Sequence, residues 1–334
     1  MRNKAYVLFF LSLSLLFLNS SSISFRAPPV RPLPVTSYLK SIQRFKKWID
    51  FLDRSNISSR LAARTSYQIG ENITFLSNFK VYLDYYNYLN TPNISDIYTN
   101  EFKSALKEFQ STFGLVSSGQ LDIKTVSLIM TPRCGVPDII NDVSIIMEDG
   151  TMTFNNSWWP TGKKEFTYAF SPENDTTLSR PAFSDAFDRW SKVTGLSFTE
   201  TPLWNKSDIQ IMFRPLDGKK GVVGGTRFDN NKGNLVVYLD SNESWASPTD
   251  AKHVDIESAA MHQIGHVLGF GHTTIREAVM YPFLKPKEKK VVFAEAELDS
   301  IHLQYGGAAA GVEPGWKLVS TLCLSIASAL LFRF

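Results

Sequence analysis

Ala260-Met261-His262-Gln263-Ile264-Gly265-His266-Val267-Leu268-Gly269-Phe270-Gly271-His272 carries three of the chain's five histidines, and its spacing governs how the rest of the sequence is read. On a helix, residues four apart stack on one face, so the His262 and His266 imidazoles can grip one ion. Two histidines at that offset alone leave coincidence open; a third narrows it. Gly269 ends such a helix, because glycine adopts the left-handed turn without steric cost, and the chain can then double back to bring His272 to the same point. Ile264, Val267 and Leu268 fill the buried face. Three neutral imidazoles with an open fourth position describe a catalytic rather than a structural zinc.

This H-x-x-x-H-x-x-G-x-x-H spacing, followed by Ala278-Val279-Met280-Tyr281-Pro282, resembles the metzincin metalloproteases and, within them, the matrixins (matrix metalloproteinases). The resemblance implies a zinc-dependent endopeptidase acting on extracellular proteins, with His262, His266 and His272 as zinc ligands and Met280 in a turn beneath the metal. One position departs from the family: the glutamate that follows the first histidine is here Gln263. In the family that carboxylate takes a proton from the zinc-bound water and hands it to the leaving amine. An amide can hold the water by a hydrogen bond but cannot accept its proton. General acid–base catalysis contributes on the order of 10²- to 10⁴-fold, so the expectation is intact zinc binding with strongly reduced turnover. The alternative is a catalytically inactive cell-surface pseudoprotease that binds zinc and peptides.

The chain has 334 residues, 43% of them hydrophobic, enough for two modest domains with cores of their own. A net charge of +3 with no basic stripe interleaved with aromatics sets nucleic-acid binding aside. At the N-terminus, Arg2 and Lys4 precede an apolar run over 7–18 and then small residues, the layout of a secretory signal over 1–24. That run of about a dozen residues is too short to span a bilayer. Sequons at Asn56, Asn72, Asn93, Asn155, Asn174, Asn205 and Asn242 agree with secretion. At the far end, Gly306-Gly307-Ala308-Ala309-Ala310-Gly311, a short spacer and an apolar tail over 318–332 have the layout of a glycosylphosphatidylinositol (GPI) signal, with 308–334 removed on attachment. A tail anchor is the rival, and about fifteen apolar residues is short for one. The expected location is the outer face of the plasma membrane, with a lipid anchor, extracellular peptide substrates and no nucleic-acid partner.

The only cysteines are Cys134 and Cys323, and the second lies in the tail expected to be removed. Cys134 is then a free thiol, an intermolecular bridge or a metal ligand. Pro132-Arg133-Cys134-Gly135-Val136-Pro137-Asp138 resembles the matrixin cysteine switch, which implies that this sulfur fills the fourth zinc position in an inhibited zymogen. Ahead of it, apolar stripes at helical spacing over 38–52 and 102–109, and a third run through Val126, Leu128 and Ile129 behind the N-cap Asp122, read as three helices. They resemble the peptidoglycan-binding-like propeptide of matrixins, placing a helical propeptide over 35–138. Residues 139–164 lack a period and read as an activation linker.

From 165 to 307 the order is strand 166–170, a helix opening at Pro181 and ending near Gly195, strands 196–200, 208–213 and 235–240, the zinc helix, and a closing helix over 294–305 packing Leu298, Ile301 and Leu303. The fold class is α+β. The resemblance implies a matrixin domain, a twisted and mostly parallel sheet with backing helices, whose edge strand pairs with the peptide substrate. The stretch 214–234 reads as a glycine-rich loop; with no histidine over 213–252, the family's structural zinc is not expected. Asp240 and Glu243 match positions that bind structural calcium in the family, and two carboxylates three apart suit a hard cation, or else a solvated turn. The members resembled are plant-type, with a GPI signal and without a hemopexin-like domain. Pro282-Phe283-Leu284 corresponds to the wall of the pocket for the residue after the scissile bond, implying an apolar side chain there. The family's paired aspartates in the closing helix read Ala296-Glu297 here.

Overall fold

The structure, a computed structural model, describes residues 66–91, 94–140, 143–144, 159–160, 162–219, 221–229, 233–246 and 253–306. The expected signal peptide, the helix over 38–52, the sequons at Asn56, Asn93 and Asn155, most of the linker and the C-terminal signal lie outside them. No helix among the described residues is long and apolar enough to cross a membrane.

Three helices come first: α1 (Leu76–Tyr85), α2 (Asn100–Thr112) and α3 (Ile123–Ile129). Helix α2 starts where Thr99 accepts a hydrogen bond from the Phe102 N–H, and α3 where the Asp122 carboxylate accepts from Thr125 N at 2.8 Å. Leu76, Phe79, Leu83, Phe102, Leu106 and Phe109 pack into one core with Val126 and Ile129. The linker opens with a small hairpin, β2 (Ile139–Ile140) against β3 (Val143–Ser144).

The second core lies between a sheet and two helices. Strands β1 (Arg133–Cys134), β7 (Val222–Asp229), β8 (Asn234–Asp240), β6 (Ile209–Arg214), β4 (Glu165–Phe170) and β5 (Ser197–Glu200) lie in that order. Every pairing is parallel except β7 with β8. Strand β8 is buried along its whole length, as the run Leu235-Val236-Val237-Tyr238-Leu239 requires of a central strand. A short pair, β9 (Trp245–Ala246) with β10 (Val254–Asp255), leads into α5 (Ile256–Val267).

Helix α4 (Ser179–Thr194) stops at Gly195, φ 69°, and buries Phe183, Phe187 and Trp190. The Trp190 indole N–H donates to Met261 O at 2.9 Å, tying α4 to α5. The closing helix α6 (Glu295–Tyr305) buries Ile301, while Leu303 is 80% exposed and does not join the core as its sequence position suggests.

The stretch 214–234 is not simply a loop: it contains β7, a strand next to helix α5. Its glycines disguise it. A Cβ on Gly224 would lie 2.6 Å from Tyr238 O, and one on Gly225 2.3 Å from the Tyr238 hydroxyl, so glycine here marks close strand approach rather than a turn.

Gly265 has a comparable role on α5, where a Cβ would meet the Met280 sulfur at 2.2 Å. Gly265→Ala should therefore destabilise by about 1–3 kcal/mol through overpacking, although alanine is the better helix former by about 1 kcal/mol. A denaturant midpoint that rises in this variant would refute the close approach.

Candidate metal centre

Helix α5 opens with the Asp255 carboxylate accepting from Ser258 N at 2.7 Å and carries His262 and His266 on successive turns. It ends at Leu268, and Gly269, φ 96°, turns the chain so that His272 faces them. The Nε2 atom of His266 lies 3.1 Å from that of His262 and 3.2 Å from that of His272. Cys134 Sγ is 3.4 Å from His266 Nε2. All four donor atoms lie within 4.8 Å of one another and all four residues are buried. Four donors around a tetrahedral zinc, with bonds of about 2.0–2.3 Å, would sit about 3.3–3.6 Å apart. The three distances to His266 Nε2 are close to that spacing, and the cluster is the one group of His, Cys, Asp or Glu side chains among the described residues arranged to hold a metal.

Proton placement points the same way. His262 Nδ1 donates to Val279 O at 2.8 Å, His266 Nδ1 to Phe270 O at 2.8 Å, and His272 Nδ1 to Asp138 Oδ1 at 2.9 Å. Each ring thus carries its proton on the outer nitrogen and turns the lone pair of Nε2 to the common centre. Burial, and the neighbouring imidazoles, hold His262 and His266 well below the usual histidine range, and burial lowers His272 as well. Neutral imidazoles are what a metal requires. Burial pushes the Cys134 thiol up to about 11, while N–H donors from Val136 and Gln263 act in the opposite direction. An apolar pocket thus resists a bare thiolate, and a dication would supply the missing countercharge.

Gln263 stands between the sulfur and the sheet. Its Nε2 donates to Cys134 Sγ at 3.4 Å, and its Oε1 accepts from the Thr226 hydroxyl of β7 at 2.9 Å.

The segment bearing Cys134 lies along the outer edge of β7. Arg133 N donates to Gly221 O and Gly135 N to Gly224 O, both at 2.7 Å. On its other side, Cys134 N donates to Pro282 O and Leu284 N to Pro132 O, both at 2.8 Å. Backbone thus fills the slot between the sheet edge and the 282–284 wall. Helix α1 and the turn after it fasten this segment, which sequence reasoning missed. The Tyr85 hydroxyl donates to Gly135 O, Tyr86 to Cys134 O, and Tyr88 to Asp138 Oδ2, and the Asn87 amide donates to Ile139 O. Arg133 is wholly buried, pairs with Asp138 at 2.6 Å and lies 3.6 Å over the Tyr86 ring. Burial pushes the Asp138 carboxyl up, but Arg133 and the His272 N–H outweigh it and hold the group below the usual carboxylate range.

Beneath the cluster, Glu297 accepts from Val279 N and Met280 N at 3.1 and 2.7 Å, fixing the turn whose Val279 carbonyl orients His262. Asp240 and Glu243 lie elsewhere, at the end of β8. The Asp240 carboxylate accepts N–H bonds from Leu216, Gly218 and Asn242, and burial together with the charges of Asp240 and Glu243 holds the Asp217 carboxyl well above its usual range. Asp217 was not singled out from sequence. Of the described sequons, Asn72, Asn205 and Asn242 are exposed, whereas the Asn174 amide donates to Phe213 O at 3.0 Å.

With this geometry in place, comparison with known proteins gives the family. Residues 158–306 match the family described as Matrixin, and residues 75–129 match a putative peptidoglycan binding domain. Metalloendoproteinase 1 of Glycine max is 36% identical over 265 residues, covering 72% of this chain and 85% of that protein. Metalloendoproteinase 5-MMP of Arabidopsis thaliana is 34% identical over 277 residues, 75% of this chain and 76% of its own length. Metalloendoproteinase 4-MMP of the same plant is 35% identical over 252 residues, 69% and 72%. The chain belongs to the matrixin family of zinc metalloendopeptidases, with a helical prodomain ahead of its catalytic domain.

Asp138→Asn removes the negative charge of a buried ion pair with Arg133 while leaving an oxygen that can still accept from His272, a loss on the order of 3–5 kcal/mol for such pairs. In a Cys323→Ser background, a thiol reagent should label Cys134 of this variant at least tenfold faster than the parent. Equal rates would show that the pair does not hold the segment in place.

Proposed function

We propose that this chain is the secreted zymogen of a GPI-anchored zinc metalloendopeptidase that cleaves extracellular proteins with attenuated turnover. His262, His266 and His272 hold the metal, and Cys134 is the fourth ligand of the latent form. The supporting observation is the convergence of three outward-protonated imidazoles and one sulfur on a single point. A bound zinc supplies a polarised carbonyl and a water acidic enough to attack it near neutral pH.

The protein's own groups do the rest. When the 133–135 segment leaves, it vacates a slot with free backbone groups on β7 and on the 282–284 wall, and an extended substrate can pair with both. Gln263 then faces the position that Cys134 Sγ occupied. Its amide can orient a water there, and Thr226 holds that amide in place. It cannot take the proton, so the step that general-base catalysis accelerates by about 10²- to 10⁴-fold goes unaided.

Calcium belongs to the same reading, as a structural ion at the two positions read from sequence, Asp240 and Glu243. The C-terminal lipid and the extracellular location rest on the sequence signals at the two ends of the chain.

Gln263 also favours a second reading, a pseudoprotease that binds zinc and peptides without turning them over. The two are separated by proteolytically activating the full chain and measuring kcat/KM on a quenched peptide, with and without Gln263→Glu. The slow-enzyme reading expects measurable cleavage in the parent and at least a hundredfold gain in the variant. No cleavage by either form leaves the pseudoprotease. Turnover in the parent equal to that of Gln263→Glu would mean that another group is the base.

A further inference from the structure

Helix α5 ends in a closed set of backbone bonds. Leu268 N donates to Ile264 O at 2.9 Å, while Gly269 N donates to His266 O and Phe270 N to Gly265 O, both at 3.0 Å, the crossed pair of a helix stopped by a left-handed glycine. The carbonyls of Val267 and Leu268 come next, past the last intrahelical donors, and both residues are buried. A buried carbonyl without a donor costs free energy comparable to a lost hydrogen bond. Each of these two takes its donor from a side chain one residue in from either end of the matrixin span 158–306. The Trp159 indole N–H donates to Val267 O at 2.8 Å, and the Tyr305 hydroxyl to Leu268 O at 2.7 Å.

Both donors are themselves held. The Trp159 ring meets Phe166 edge-on with centroids 4.9 Å apart, and Lys163 Nζ stands 5.5 Å from its centre while pairing with Asp208. Trp159 thus packs against the second core, although it lies in the stretch read from sequence as linker. The Tyr305 ring lies 5.9 Å from Phe270, which is stacked on Trp190 at 5.8 Å. Burial pushes the Tyr305 hydroxyl up, so it keeps its proton and stays a donor. The two capped carbonyls fall between His266 and His272 in the chain. Just beyond them is Phe270 O, the acceptor that orients His266. A turn free to rock there would swing that carbonyl, and with it the His266 ring, off the common centre.

Resting on the zinc-ligand reading above, we propose that Trp159 and Tyr305 are positioning residues: by capping Val267 O and Leu268 O they fix the turn between the second and third imidazoles and so slow the escape of the zinc. They act through backbone carbonyls rather than on the metal. The Trp159 cap survives activation only when the cut falls before it.

The test compares the zinc-loaded full chain with Trp159→Phe and Tyr305→Phe, which keep a ring and delete the donor. It reads the transfer of zinc to an excess of chromogenic chelator, below the unfolding transition. Each change should speed transfer at least threefold, the scale of one lost hydrogen bond, and the double variant should exceed either. Ile209→Val, which trims the sheet core, controls for lost stability alone and should leave the rate unchanged. Equal rates in the parent and both cap variants, or an equal acceleration by Ile209→Val, would overturn the proposal. Should Trp159→Phe fail to fold, Tyr305→Phe decides, because it removes the neighbouring cap. If the parent takes up no zinc, or His262→Ala holds it as firmly, the zinc-ligand reading fails on its own. The caps are then read by amide exchange at Gly269 and Phe270, which both variants should speed at least threefold; unchanged exchange would overturn them as well.

Discussion

Three ring nitrogens must aim their lone pairs at one point, and much of the surrounding structure exists to hold the opposite edges of those rings. The Val279 carbonyl fixes His262, and the Glu297 carboxylate fixes Val279 through its N–H. Phe270 O fixes His266 and is itself placed by the turn at Gly269. Gly265 lets Met280 pass beneath the helix closely enough for these contacts to coexist. In the closing helix, one of the two family aspartates is replaced by Ala296, which has no carboxylate, but Glu297 still reaches the turn with its longer stem.

The third ring is held differently. The His272 Nδ1–H donates to Asp138, which lies in the segment that bears Cys134 and is in turn bound by Arg133 and Tyr88. The Cys134 segment thus does more than place a sulfur beside three imidazoles: it also supplies the carboxylate partner of one ring and occupies the backbone positions of the sheet edge. The helical core extends onto Tyr281 and Phe283, so prodomain and pocket wall share one apolar cluster.

What the sequence revealed follows from the range of the interactions involved. The zinc helix, its glycine stop, Asp122 as a cap and the alternating strand at 166–170 are local patterns, and each appears where its period places it. Strand β7 escaped because Gly224 and Gly225 mimic loop composition, and the space they preserve is filled by Tyr238, a residue of the next strand. Helix α1 escaped although Leu76, Phe79 and Leu83 have helical spacing. Its function lies in tyrosine hydroxyls that reach partners about fifty residues away, as Tyr85 reaches Gly135. Asp217 joined Asp240 and Glu243 only once the loop before β7 was placed. Leu303, by contrast, has the right chemistry on the wrong face of its helix.

Gln263 occupies a position with two demands that conflict. On the peptidase reading it would face a water once the Cys134 segment is gone, and a carboxylate there would take the proton. In the latent form it faces Cys134 Sγ, and the needed group is a donor. Its amide provides both an N–H for the sulfur and a carbonyl for Thr226, and so satisfies the closed state completely. A glutamate could offer no proton to the thiolate and would place a second negative charge beside it in a buried site, where unlike its neighbours it would have no cationic partner but the metal. The amide is thus a better complement to the sulfur-filled site than a carboxylate would be, and on the peptidase reading proposed above the same side chain is the one that leaves the active form without its base.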